Sequence, residues 1–221
     1  MREIVLDTET TGLKHSEGDR VIEIGCVEII NRVRSGKYFH RYLKVDKESS
    51  PGALNVHGLT KDFLSDKPEF SEIVSEFMQF IGNDPLVIHN AKFDIGFLNN
   101  ELELINKATL SNQIVDSLVS ARKKYPGQKN SLDALCKRYN IDSSKRVKHG
   151  ALLDAELLAD VYLELTGGSQ ITFDLVKEQK LEQKDISKVK FPLREYKTSL
   201  QEENDHAKML QKIPNNLWKN D

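Results

Sequence analysis

An apolar run, Ile4-Val5-Leu6, leads directly into Asp7-Thr8-Glu9-Thr10-Thr11-Gly12. Such a run predicts a strand buried in a sheet. Side chains two apart on a strand share a face, so Asp7 and Glu9 project together from its end. Two carboxylates that close repel, and one would ordinarily take up a proton. A divalent cation removes the conflict, and a hard ion such as Mg²⁺ prefers carboxylate oxygens. The start of the chain therefore calls for a sheet whose strand end carries half of a metal site.

Later segments offer the other half. Asp94 follows a short strand predicted over Leu86 to His89 and falls in the first turns of a helix predicted over 91–105. Asp154 lies early in a helix predicted from about Ala151 to Leu165, which stops at Gly167-Gly168. Positions five apart on a helix are about 140° apart, so His149 and Asp154 would not share a face if both were helical. Gly150 instead puts His149 on the preceding loop, free to swing over the acids. Taken singly, Asp94 reads as a cap or dipole partner, Asp154 as a solvated helix residue and His149 as structural. Asp7 and Glu9, set directly on a buried strand, are harder to read that way.

The rest of the chain predicts a mixed sheet flanked by helices. Strands are expected over 2–8, 21–30 and 37–45, with Asn31 to Gly36 as the turn of a hairpin. Pro51 and Gly52 open a loop to Gly58. Phe70, Ile73, Val74, Phe77, Met78 and Ile81 keep helical spacing, and Gly82-Asn83-Asp84-Pro85 ends that helix. A fifth strand is expected over Asn112 to Asp116, and Ser131 offers an N-cap for a helix through Leu132, Leu135 and Tyr139. Long helical crossovers imply some parallel pairing, and functional groups in such sheets gather at strand ends.

Beyond residue 168 the composition shifts. Residues 169–190 read as a flexible linker. Residues 191–221 regain Leu200, Met209, Leu210, Ile213, Leu217 and Trp218, too little for a domain but suited to a segment that orders on a partner. A net charge of -2 gives no global basic field for nucleic acid, although Lys145, Arg146 and Lys148 could steer a phosphate backbone locally. Cys26 and Cys136 have no zinc spacing and suggest a reduced compartment. With no signal-like stretch and no run long enough to cross a bilayer, a cytoplasmic protein is expected.

Three segments, Asp7-Thr8-Glu9-Thr10-Thr11-Gly12, His89-Asn90-Ala91-Lys92-Phe93-Asp94 and His149-Gly150-Ala151-Leu152-Leu153-Asp154, resemble the motifs of the DEDDh (DnaQ-like) exonuclease superfamily. Val21 to Gly25, Val56-His57-Gly58, Asn130 to Cys136 and Thr166 to Gly168 narrow the resemblance to the epsilon proofreading family of bacterial DNA polymerase III. It covers residues 2 to about 168 and returns weakly near the C-terminus.

The resemblance implies an RNase H-like five-stranded fold over 1–168. It further implies 3′→5′ hydrolysis of DNA ends to 5′-mononucleotides, with two Mg²⁺ or Mn²⁺ ions held by Asp7, Glu9, Asp94 and Asp154. His149 would be the general base, since an imidazole has an unperturbed pKa of ~6.5. Asp7, Thr8, Glu9, His57 and Asp154 would contact the substrate. Phe93 would either stack near the terminal bases or belong to the core. His89 and Asn90 look like strand-end residues.

Among partners, the resemblance implies a polymerase (alpha) subunit bound by 191–221 and a sliding clamp bound by Gln170-Ile171-Thr172-Phe173. A small theta-like subunit is a further implied partner. One departure stands out: Gly52 occupies a position where related chains often carry an acidic residue that reaches the terminal sugar, which puts DNA–RNA discrimination in doubt. The competing expectations are a DEDDh ribonuclease trimming RNA 3′ ends and a mainly structural replisome scaffold.

Overall fold

The computed structural model describes residues 1–144, 146, 148–167 and 197–213. Strand β1 (Arg2–Thr10) alternates between two layers. Ile4 and Leu6 enter one core with helices α3 (Phe70–Ile81) and α4 (Ala91–Leu104). Val5 enters a second core with helices α6 (Leu132–Tyr139) and α7 (Ala151–Leu165). The pleat carries this alternation to the strand end: Thr8 continues the face of Leu6 toward α4, while Asp7 and Glu9 continue the face of Val5 toward α7.

Antiparallel to β1 runs β2 (Val21–Ile30), with Asp7 opposite Gly25 and Glu9 opposite Glu23. β3 (Val33–Tyr42) adds an antiparallel edge. On the other side, β4 (Leu86–Ile88) and β5 (Ile114–Asp116) join in parallel, giving the order β3-β2-β1-β4-β5 in a five-stranded sheet. Helix α4 makes the crossover from β4 to β5. Arg20 donates two hydrogen bonds to the buried Glu101 carboxylate, at 2.6 and 2.7 Å, which fixes α4 against the start of β2.

Three sequence expectations need correction. The hairpin turn is only Asn31-Arg32, both at positive φ (49° and 65°), so β3 begins at Val33. That pair of left-handed residues matches the right-handed twist of the two strands. The segment expected as a loop is helix α1 (Pro51–His57): the Ser50 hydroxyl accepts from Ala53 N, Pro51 fills the first turn, and Gly58 ends it at φ 74°. Helix α5 (Ser117–Lys124) has no counterpart among the expected elements; Asp116 caps it, accepting from Leu118 N and Val119 N. A short helix α2 (Lys61–Leu64) comes directly after α1.

The chain divides into two compact units, Met1–Thr172 and Phe173–Asp221. In the second, helix α8 (Leu200–Gln211) opens on a capping box between Ser199 and Glu202 and buries none of its residues. The expected linker, residues 169–190, lies outside the described residues. None of the described helices is long and apolar enough to cross a membrane.

Candidate active site

The carboxyl end of β1 and the starts of α4 and α7 meet at one cavity of about 260 Å³. Asp7, Thr8, Glu9, Phe93, Asp94, Arg146, His149 and Asp154 all line it. Asp94 sits in the first turn of α4. The Thr8 hydroxyl and backbone N–H both donate to its Oδ1, at 2.7 and 3.1 Å. Thr8 thus holds Asp94 in place. Asp154 occupies the first turn of α7. His149 lies on the loop just before, where its backbone N–H donates to Val56 O at 3.1 Å. Its Nδ1 faces Asp154 Oδ2 at 3.3 Å.

The approach of α7 depends on small residues. Ala151, Ala155 and Ala159 are each fully buried. Gly25 lies directly under the helix: a Cβ there would meet Ala151 C and Leu152 N at 2.3 Å.

Electrostatics follow from this crowding. Burial, reinforced by Asp94, Asp154 and Glu9, holds the Asp7 carboxyl well above the ordinary range. Burial, with Asp154 and Glu23 adding to it, pushes Glu9 up to about 8. Burial raises Asp94 to about 7 against the opposing pull of the Thr8 hydroxyl. The groups are short of positive charge. Ligand atoms from Glu9, His149 and Asp154 lie within 4.8 Å of one another. A set of carboxylate oxygens with one imidazole, in a field that penalises ionisation, fits a divalent cation.

His89 and Asn90 also line the cavity. His57 does not line the cavity; it is buried, its Nδ1 accepts from Leu59 N at 2.9 Å, and its Nε2 has no partner. Phe93 lines the cavity and packs against Phe97, with ring centroids 4.8 Å apart and the rings tilted by 47°. His89 donates to the Ser117 hydroxyl, which itself donates to Ile88 O. Asn90 makes the strand-to-helix turn at φ 71°. Gly52 sits in α1, where a side chain would meet nothing within 4 Å. Lys145 and Gln170 to Phe173 lie outside the described residues.

Two residues escape the sequence reading. Asp116 accepts from Ala91 N at 3.0 Å as well as capping α5, so it sets the start of the helix that carries Asp94. Arg146, expected as a surface cation, reaches into the acidic cavity, and its guanidinium donates to Asp154 and to Asp133. Only their polar residue types hint at these roles.

A family model described as Exonuclease matches residues 4–162. DNA polymerase III subunit epsilon of Escherichia coli is 54% identical over 175 residues, covering 76% of this chain and 72% of that protein. The same subunit of Rickettsia prowazekii is 48% identical over 182 residues, covering 80% of each. The chain belongs to the epsilon family of exonucleases. Epsilon subunits are proofreading 3′→5′ exonucleases, and this chain is an exonuclease of that kind. The superfamily depends on divalent metal.

Solved structures agree on the fold. Exonuclease X in complex with 5′-overhanging duplex DNA superposes with a TM-score of 0.60 at 24% identity, covering 74% of this chain and 90% of that one. The nuclease domain of 3′hExo, a DEDDh family member bound to rAMP, gives 0.64 at 17%, covering 75% and 91%.

Proposed function

We propose that this epsilon-family exonuclease removes mispaired nucleotides from DNA 3′ ends, with Asp7, Glu9, Asp94 and Asp154 holding two Mg²⁺ or Mn²⁺ ions. The observation that carries this reading is the convergence of those four carboxylates and His149 on one cavity. When bound, the ions would supply an acidified water and charge stabilisation for the departing 3′-oxygen. Thr8 keeps Asp94 in its ionised, ligating orientation through two hydrogen bonds. His149, standing on a loop tied to Val56, takes the proton of the attacking water. The water oxygen bonds to phosphorus, and the bond to the neighbouring 3′-oxygen breaks. A 5′-mononucleotide leaves, and the departing 3′-oxygen takes a proton from solvent water to become the strand's new 3′-hydroxyl.

In this reading residues 1–168 form the nuclease, 169–190 a tether and 191–221 the contact with the polymerase (alpha) subunit. Leu200, Met209 and Ile213 on and just after α8 are exposed, which supports a docking role. Tethering raises the effective concentration at the primer end, so a net charge of -2 is no handicap. Gln170 to Phe173 would take the sliding clamp. A small theta-like subunit and a place in a cytoplasmic, nucleoid-associated replisome complete the assignment.

The test is hydrolysis of a 3′-mispaired primer–template in Mg²⁺, beside Asp7→Ala and an RNA oligonucleotide. Metal-dependent release of mononucleotides, lost in Asp7→Ala and slower on RNA, supports the proposal. Faster RNA cleavage would favour an RNA-trimming enzyme, and no release from folded protein would favour a scaffold.

A further inference from the structure

Among the described residues lining the cavity, Arg146 is the one Arg or Lys. Its side chain is only 7% exposed. It grips Asp154 through both oxygens: Nε donates to Oδ1, and Nη2 to Oδ2 at 2.6 Å. Nη2 also lies 2.8 Å from His149 Nδ1, and Nη1 pairs with Asp133. A guanidinium has donors but no acceptor, so at the His149 contact Nδ1 must accept and the ring proton sits on Nε2. One arginine thus engages two groups that the proposed mechanism needs free: the oxygens of a cation ligand and the imidazole.

The geometry points to Arg146 as an internal counter-ion that competes with the divalent cation for Asp154. Both draw on the same two carboxylate oxygens, so cation binding weakens the paired hydrogen bonds and releases His149 with them. Asp133 provides the anchor that remains. It belongs to α6, its side chain is 67% exposed, and Arg146 can keep that contact at the rim of the cavity while leaving Asp154. The freed Nε–H and Nη2–H then become available to a phosphodiester in the cavity, since Arg binds phosphate through such paired donors. One further observation makes this a built feature: the Arg146 backbone N–H is itself fixed, donating to Ser143 O at 2.9 Å.

This inference rests on the proposed set of cation ligands, and the experiment separates the two. Mn²⁺ binding to the full chain is measured by calorimetry for wild type, Arg146→Met and Asp94→Asn. Displacing a charge-assisted bidentate pair predicts that Arg146→Met binds Mn²⁺ about tenfold more tightly or better. A second readout tracks the Arg146 Nε–H resonance in a ¹⁵N spectrum as Mg²⁺ is added. It should shift and exchange faster with solvent as the ion loads. Unchanged or weaker Mn²⁺ binding by Arg146→Met, or an Nε–H signal indifferent to Mg²⁺, would overturn the counter-ion role. If Asp94→Asn binds Mn²⁺ as well as wild type does, the ligand assignment fails instead.

Discussion

Glu9→Gln should make the protein more stable when no divalent ion is available, and more so as pH rises. The Glu9 carboxyl is buried and titrates near 8 in the fold against an ordinary 4.5. Between those values the folded chain holds a proton that the unfolded chain has lost, so stability falls as pH increases through the window. Integrating the difference in bound protons gives a penalty of about 1 kcal/mol at pH 5, about 3 at pH 7 and about 4 at pH 8. Glutamine has the same shape and no proton to hold, so it removes this slope. These figures are upper bounds on the gain, because the amide is desolvated too.

Urea unfolding in EDTA at the three pH values measures the effect, and at pH 8 the melting temperature should rise on the order of 10 °C. With millimolar Mn²⁺ the ranking should reverse, since wild type gains by mass action and the variant gains less. An equal difference at all three pH values, or a less stable variant at pH 8 in EDTA, would refute the reasoning.

Three other outcomes are expected. His149→Ala should slow mononucleotide release by about 10²–10⁴-fold. Its melting temperature should stay close to wild type, because the side chain is 42% exposed; single-turnover kinetics and a thermal scan check both. Thr8→Val removes a hydroxyl donor to Asp94 and should cost about 1.5–3 kcal/mol at pH 8, where that carboxyl is ionised, measured by denaturation. Gly52→Ala should stabilise the chain by about 0.5–1 kcal/mol, since Gly52 is helical with open space around it; a loss would contradict the helix at Pro51–His57.

Much of this architecture is written in periodicity. The apolar blocks of β1 and β2 and the stripe Phe70, Ile73, Val74, Phe77 and Ile81 have one sensible reading each. Helix α7 is equally plain because Gly150 and Gly167 bracket it. Short elements are less legible for physical reasons. Pro51-Gly52 looks like a break until Ser50 is recognised as a cap and Pro51 as the first helical residue. Helix α5 has few apolar residues and ends in Arg122-Lys123-Lys124, so it carries almost no hydrophobic signal. In the site, strand alternation and motif spacing are enough to suggest the carboxylates and His149. Arg146 cannot be placed that way, because its partners come from two helices and its loop has no period.

Gly25 has a consequence for how tightly the site is dimensioned. It pairs with Asp7 across the sheet, and the main chain of Ala151 and Leu152 rests where its side chain would be. The gap between the β1 acids and Asp154 is therefore gauged by backbone against backbone, with no interleaved side chain to act as a shim. Exchange of one apolar residue for another in the surrounding core alters volumes that side chains can absorb. This seam has no such slack, so the width of the site is insulated from drift in the core around it.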